Sequence, residues 1–174
     1  LKTITFFNND KPLLQMHHYA THPMSYYGQG VVSADFVGLA RARLQRMDQS
    51  IRQIFVPGCA GDITAGKFNN GSEDHRQELI DRLYQAMAKA ADNTQRYQLQ
   101  QLNIRNTKLQ LPFHPGDHLT AKRLEADVAN EKLSVEKRIL AAMGLASRRR
   151  VASGQAIYFP CIDLGAAQIL LFPG

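Results

Sequence analysis

The sequence lacks most of the features that sort proteins quickly. No run approaches the roughly 18 apolar residues that a membrane span requires. The start carries neither the basic n-region nor the apolar h-region of a secretory signal. Cysteine is scarce: Cys59 and Cys161 stand alone and far apart, and two such residues decide no redox compartment. There are no internal repeats and no low-complexity segments, so the chain reads as ordinary folded protein.

What is present fits that reading. The 174 residues are one domain's worth. A chain of that length buries roughly 70% of its unfolded surface, so it needs neither disulfide nor metal merely to fold. Hydrophobic residues make up 44% and charged residues 21%, both ordinary for a globular protein. The net charge of +6 comes from 21 Lys and Arg against 15 Asp and Glu. These cations are dispersed, apart from Arg148-Arg149-Arg150. Near a helix end such a cluster complements the dipole, and no aromatic residues interleave with it, so nucleic acid is not an expected partner. Peripheral contact with an anionic membrane surface is compatible with the charge. The sequence begins at Leu1 and ends on Leu171-Phe172-Pro173-Gly174, straight out of an apolar run; a segment of a longer protein, truncated at both ends, is expected.

Hydrophobic periodicity predicts a hairpin of two strands over 1–8 and 12–21, turning at Asn9-Asp10. A helix is expected over 36–47 with Asp35 as its N-cap, then a short buried strand over 51–56 stopped by Pro57-Gly58. The clearest helix covers 72–92, with Asp74 and Gln77 as a capping pair and Leu79, Ile80, Leu83, Tyr84 and Met87 on one apolar face. A strand over 102–111, helices over 120–130 and 135–150 (the second capped by Ser134), and strands over 156–164 and 167–172 complete the pattern. Alternating strands and helices predict an α/β fold, a mixed β-sheet flanked by helices.

Two constellations carry chemistry. In Tyr19-Ala20-Thr21-His22-Pro23-Met24-Ser25, the residue before proline is pushed to an extended conformation, so His22 should end a strand. Strand ends opening into loops are where metal ligands and catalytic bases sit. His17 and His18 lie just upstream. Residues four apart are about 6 Å apart on a helix but about 13 Å apart on a strand. A Zn–N bond is about 2.1 Å, so one zinc cannot bridge His18 and His22 along a strand. His22 is the better single ligand, although a lone histidine is commonly a structural, hydrogen-bonded residue. The second constellation is Gly58-Cys59-Ala60-Gly61-Asp62-Ile63-Thr64. Glycines allow a sharp turn and close ligand approach, Asp62 can orient a histidine or a water, Thr64 can present a hydroxyl, and backbone N–H groups can stabilise an oxyanion. The plain alternative is a strand-to-loop turn with Asp62 bonding its own backbone. His114-Pro115-Gly116-Asp117-His118 reads as a turn, and His75 as a helix-surface residue. Tyr26 and Tyr27 either bond a substrate or pack a loop.

Together these stretches resemble the neutral (non-lysosomal) ceramidase family, zinc-dependent amidases of the N-acyl bond of ceramide. The resemblance rests on Thr21-His22-Pro23-Met24-Ser25, on Ser33-Ala34-Asp35-Phe36-Val37-Gly38 and on Cys59-Ala60-Gly61-Asp62-Ile63-Thr64-Ala65-Gly66. It covers about residues 4–64 and thins beyond, where Leu171-Phe172-Pro173-Gly174 resembles the strand before a zinc-binding glutamate. It implies that His22 is a zinc ligand, that Thr64 falls on the nucleophilic serine, and that Asp62 is the acidic residue of the same motif. The other three ligands fall outside this chain, so the fragment alone is expected to be inactive. Thr64 for serine, Ala65-Gly66 for Pro-Asn and Cys59 for asparagine are departures. They leave zinc-bound hydroxide an equal candidate for the attacking group. The implied protein is an extracellular or periplasmic hydrolase of sphingolipid metabolism, acting on a lipid or small-molecule amide. A different amide or ester substrate, or a non-catalytic lipid- or polymer-binding domain of the same fold, are the alternatives.

Overall fold

The computed structural model describes residues 1–114 and 116–172. The tail comparison at Pro173-Gly174 and the Pro115 position of the histidine turn lie outside the described residues. The fold is α/β, as the alternation predicts. The chain divides into two compact units, Leu1–Arg96 and Tyr97–Gly174.

The first unit holds β1 (Lys2–Asn8), β2 (Lys11–Tyr19), α1 (Asp35–Met47), β3 (Arg52–Pro57) and α2 (Glu73–Asp92). The expected hairpin forms: β1 and β2 pair antiparallel, with Thr3 opposite His17 and Thr5 opposite Gln15. Asn9 takes φ 52° in its turn, the left-handed region that asparagine tolerates. β2 and β3 pair in parallel, from Leu14 opposite Arg52 to Tyr19 opposite Pro57. The sheet is therefore mixed, in the order β1-β2-β3, and β2-α1-β3 is a crossover unit.

Both helices lie on one face of this sheet. Phe36, Val37 and Ala40 of α1 pack against Leu79, Leu83 and Met87 of α2, with Phe55 of β3 joining them. The rest of that sheet face is polar. Gln15, His17 and Gln53 are buried, and every one is bonded. The Thr3 hydroxyl donates to His17 Nδ1 at 2.8 Å. His17 Nε2–H donates to Gln53 Oε1 at 2.8 Å, and Gln53 Nε2 donates to Gln15 Oε1 at 3.0 Å. The direction is forced, because an amide oxygen only accepts. Burial lowers the His17 pKa, against the Gln53 bond that raises it, with the His18 charge adding to the lowering. By alternation Ile4, Phe6, Leu14, Met16, Ile54 and Val56 share the opposite face, which no helix of this unit covers.

The second unit pairs β4 (Asn103–Leu109), β5 (Ile157–Asp163) and β6 (Gln168–Leu170) antiparallel. Its helices α3 (Ala121–Ala129) and α4 (Val135–Ala152) close on Leu124, Ala141 and Leu145. Ser134 caps α4 as expected, accepting from the Lys137 N–H at 3.4 Å.

Two expected caps differ. Asp35 is the first helical residue of α1, and the cap position is Ala34, which makes no side-chain cap bond. The Asp35 carboxylate bonds back to the preceding loop instead. In α2 the cap is Ser72, whose Oγ accepts from the His75 N–H at 3.3 Å, rather than an Asp74–Gln77 pair. Serine with an extended backbone reaches the free N–H groups of the first turn more directly than a side chain already inside the helix.

Candidate functional site

In parallel α/β sheets the carboxyl ends of the strands face ligands. β2 and β3 end side by side, and the chain keeps the pairing beyond them. The Gly58 N–H donates to the Tyr19 carbonyl at 3.1 Å. A Cβ on Gly58 would meet Ala20 backbone and side-chain atoms at 3.1 to 3.2 Å, so a larger residue there would push the two segments apart by a few tenths of an ångström. Further on, His22 and Thr64 form an isolated parallel bridge. The structure thus brings together the two motifs that sequence reasoning singled out, although they lie 41 residues apart at His22 and Ile63.

The bridge sets the state of the histidine. The Ile63 carbonyl accepts from the His22 backbone N–H at 2.8 Å and from His22 Nδ1 at 3.3 Å. A carbonyl cannot donate, so Nδ1 carries a proton, and in the neutral ring Nε2 is then the nitrogen with the lone pair. Nε2 makes no hydrogen bond among the described residues. This is the arrangement of a metal-ligating imidazole, one nitrogen oriented by a backbone carbonyl and the other free. His22 is exposed, so that nitrogen is open to an incoming ion.

The other candidates fall as follows. Thr64 Oγ1 accepts from the Gly66 N–H at 3.1 Å, and no base bonds its hydroxyl among the described residues. Asp62 is exposed, and its carboxylate bonds neither His22 nor its own backbone. The Cys59 thiol is exposed, not buried. The Ile63 N–H is taken by the Ala60 carbonyl at 3.1 Å and is lost to an oxyanion site. His18 lies one residue after His17, on the opposite sheet face, where burial lowers its pKa. No group of three or more His, Cys, Asp or Glu able to hold a metal occurs among the described residues.

Beside Thr64 lies a cavity of about 360 Å³. Thr21, Thr64 and Arg82 contribute polar groups to its lining, and Phe36, Phe68, Leu79 and Leu83 supply apolar wall. The apolar part of that lining suits an aliphatic group.

Sequence reasoning missed the residues that hold the loop after His22. Asp35 Oδ1 accepts from the Ser25 N–H at 3.1 Å and from Ser25 Oγ at 2.5 Å. Its Oδ2 accepts from the Tyr26 N–H at 3.1 Å. Arg76, buried in α2, donates to the Ser25 carbonyl at 3.1 Å, and its guanidinium lies 3.7 Å from the Tyr26 ring centre. Burial works to raise the Asp35 pKa, but the bonds from Ser25 Oγ and from the N–H groups of Phe36, Tyr26 and Ser25 outweigh it and hold the carboxyl below its usual range. The only local signal was Asp35 beside a helix start; nothing nearby marked Arg76 as buried.

No protein-family model, no curated protein and no solved structure matches this chain.

Proposed function

We propose that this chain is part of a zinc-dependent hydrolase of a linear amide, resembling neutral ceramidase (N-acylsphingosine amidohydrolase). One observation carries the reading: the His22–Thr64 bridge, at which the Ile63 carbonyl engages His22 Nδ1 and leaves Nε2 unbonded among the described residues, while Thr64 also lines a largely apolar cavity. The donor chemistry fits zinc, since a neutral imidazole fixed through Nδ1 is a ready zinc ligand. His22 would hold the metal. Zinc, when bound, supplies Lewis acidity and a water acidic enough to be hydroxide near neutral pH.

The chain's own residues divide the remaining work. The cavity takes an aliphatic portion of the substrate and keeps water from it. Thr64 contributes a polar group to the lining of that cavity. Its bond from Gly66 fixes the side chain but gives it no base, which favours Thr64 as a group that orients the scissile amide over Thr64 as the nucleophile. Asp62, exposed and unbonded, is available to water at the same loop. A lipid amide is the favoured substrate class. Peripheral contact with a lipid surface is consistent with exposed Val135, Ile139 and Met143 on α4 and the arginines that follow them.

Zinc analysis and an amidase assay on the intact protein test the proposal. Zinc at stoichiometric occupancy and activity abolished by His22→Ala are expected. A metal-free protein, or activity indifferent to His22→Ala, would sink it.

A further inference from the structure

We infer that Asp35 and Arg76 are positioning residues, an opposed charge clamp that grips the Ser25 peptide and thereby holds His22 against the Ile63 carbonyl. The inference deepens the metal-site reading and rests on it for one of its two readouts.

The two charges act on one residue from opposite sides. Asp35 takes the N–H and the hydroxyl of Ser25 and the N–H of Tyr26. Arg76 takes the carbonyl of Ser25, and its guanidinium also donates to the Gly71 carbonyl at 3.2 Å. The guanidinium plane covers Tyr26, adding a cation–π contact to the grip. Asn69 Nδ2 ties the neighbouring Met24 carbonyl at 3.0 Å. Ser25 itself is 1% exposed. Asp35 and Arg76 are 6% and 5% exposed, yet no ion pair joins them among the described residues. Asp35 is met by the loop and by the Phe36 N–H at 2.7 Å, and Arg76 by the loop carbonyls and by an ion pair with exposed Glu73 at 2.5 Å, its Nε staying without a partner among the described residues.

The arrangement is costly in two further ways. Asp35 sits at φ 50°, a left-handed conformation that aspartate tolerates only at some strain. It also gives up the N-cap position, where the same side chain would stabilise α1 without that strain. Helix α1 starts tightly instead: a Cβ on Gly38 would lie 2.3 Å from the Ala34 Cβ. Backbone strain and two buried charges both bonded to one loop indicate a conformation that is specified rather than merely tolerated. Only Pro23 and Met24 separate that loop from His22. The imidazole is thus fixed from two directions, by the bridge to the Thr64 segment and by the clamp.

The test is nitrogen NMR of the His22 ring in the intact protein, at a pH above the imidazole range, with zinc affinity measured beside it. The parent chain should show the Nδ1-protonated tautomer. Asp35→Asn keeps the side-chain shape and removes the charge, and Arg76→Met keeps the stem and removes the donors. Each, with circular dichroism and a melting transition like the parent's, should give mixed tautomers, and zinc affinity at His22 should fall roughly tenfold. Folded variants whose His22 signals match the parent's overturn the inference. Where either variant loses its cooperative transition, Ser25→Ala decides, because it removes only the hydroxyl bond to Asp35. A partial tautomer shift supports the clamp, and unchanged signals refute it. A parent chain that takes no zinc at His22 defeats the metal reading alone, and the tautomer result still judges the clamp.

Discussion

The two units treat buried polar atoms differently. In the first, Gln15, His17, Thr21, Ser25, Asp35, Gln53 and Arg76 are all buried, while in the second only Asp163 is, among the described residues. The second unit instead leaves Val135, Ile139, Leu140 and Met143 in solvent along α4 and closes on three small or medium side chains. Burying a polar group is unfavourable unless its donors and acceptors are met, so dense polar burial in which, among the described residues, only His18 Nε2 and Arg76 Nε go unmet marks backbone that must hold one geometry. Gln15, His17 and Gln53 run along the sheet, while Thr21, Ser25, Asp35 and Arg76 hold the loop that follows β2, beside the point where His22 and Thr64 meet. Open apolar surface marks a different task, contact with something outside the unit.

Predictions follow from the contrast. The largest effect is expected at the apolar centre of the first unit: Phe36→Ala should cost about 4 kcal/mol in denaturant unfolding, against about 2 kcal/mol for Leu145→Ala, whose small cluster collapses more readily. Equal or reversed costs would break the comparison. Next, His17→Ala should cost about 3 kcal/mol, because it orphans the Thr3 hydroxyl and the Gln53 amide as well as opening a void. A smaller loss would mean that water replaces the ring without penalty.

Acid should act on the first unit in two steps. His17 and His18 both titrate below the ordinary imidazole value in the fold. Their contribution is complete above about pH 6.5 and is lost as pH falls toward the lowered value, since the unfolded chain then binds protons that the fold refuses. Asp35, lowered as well, adds stability that is present above the ordinary carboxyl range and disappears at more acid pH. Urea midpoints across this range should fall on acidification, with His17→Gln flattening the first step; midpoints that rise would contradict the assignment. The smallest effect is expected on α4, where Ile139→Ser and Met143→Ser should move stability by no more than about 0.5 kcal/mol while weakening retention on anionic vesicles. A large stability loss would show that these side chains are covered.

Local pattern made most elements legible. Alternation marked β1 and β2, the 3.6-residue stripe from Leu79 to Met87 marked α2, and Ser134 marked the start of α4. His22 was legible too, because a histidine before proline at a strand end has few conformations. What stayed hidden depends on partners distant in the chain. Alternation places Gln15 and His17 on a polar face of β2 that reads as solvent-facing, but Thr3 on β1 and Gln53 on β3 complete their bonds and bring that face under the helices. Asp35 obeyed a capping rule in the sequence and broke it in the fold, because Ser25 and Tyr26, about ten residues earlier, compete for its carboxylate. Arg76 reads as a surface residue of α2 until the loop at Ser25 folds over it.

The most direct test of the account is a zinc titration of the intact protein, with all its ligands, followed at the imidazole nitrogens. His22 Nε2 should respond first and saturably, and His22→Ala should abolish that response while the remaining histidines behave as before. Zinc that perturbs the other histidines and leaves His22 Nε2 unmoved would contradict the claim that this strand end is one wall of a metal site.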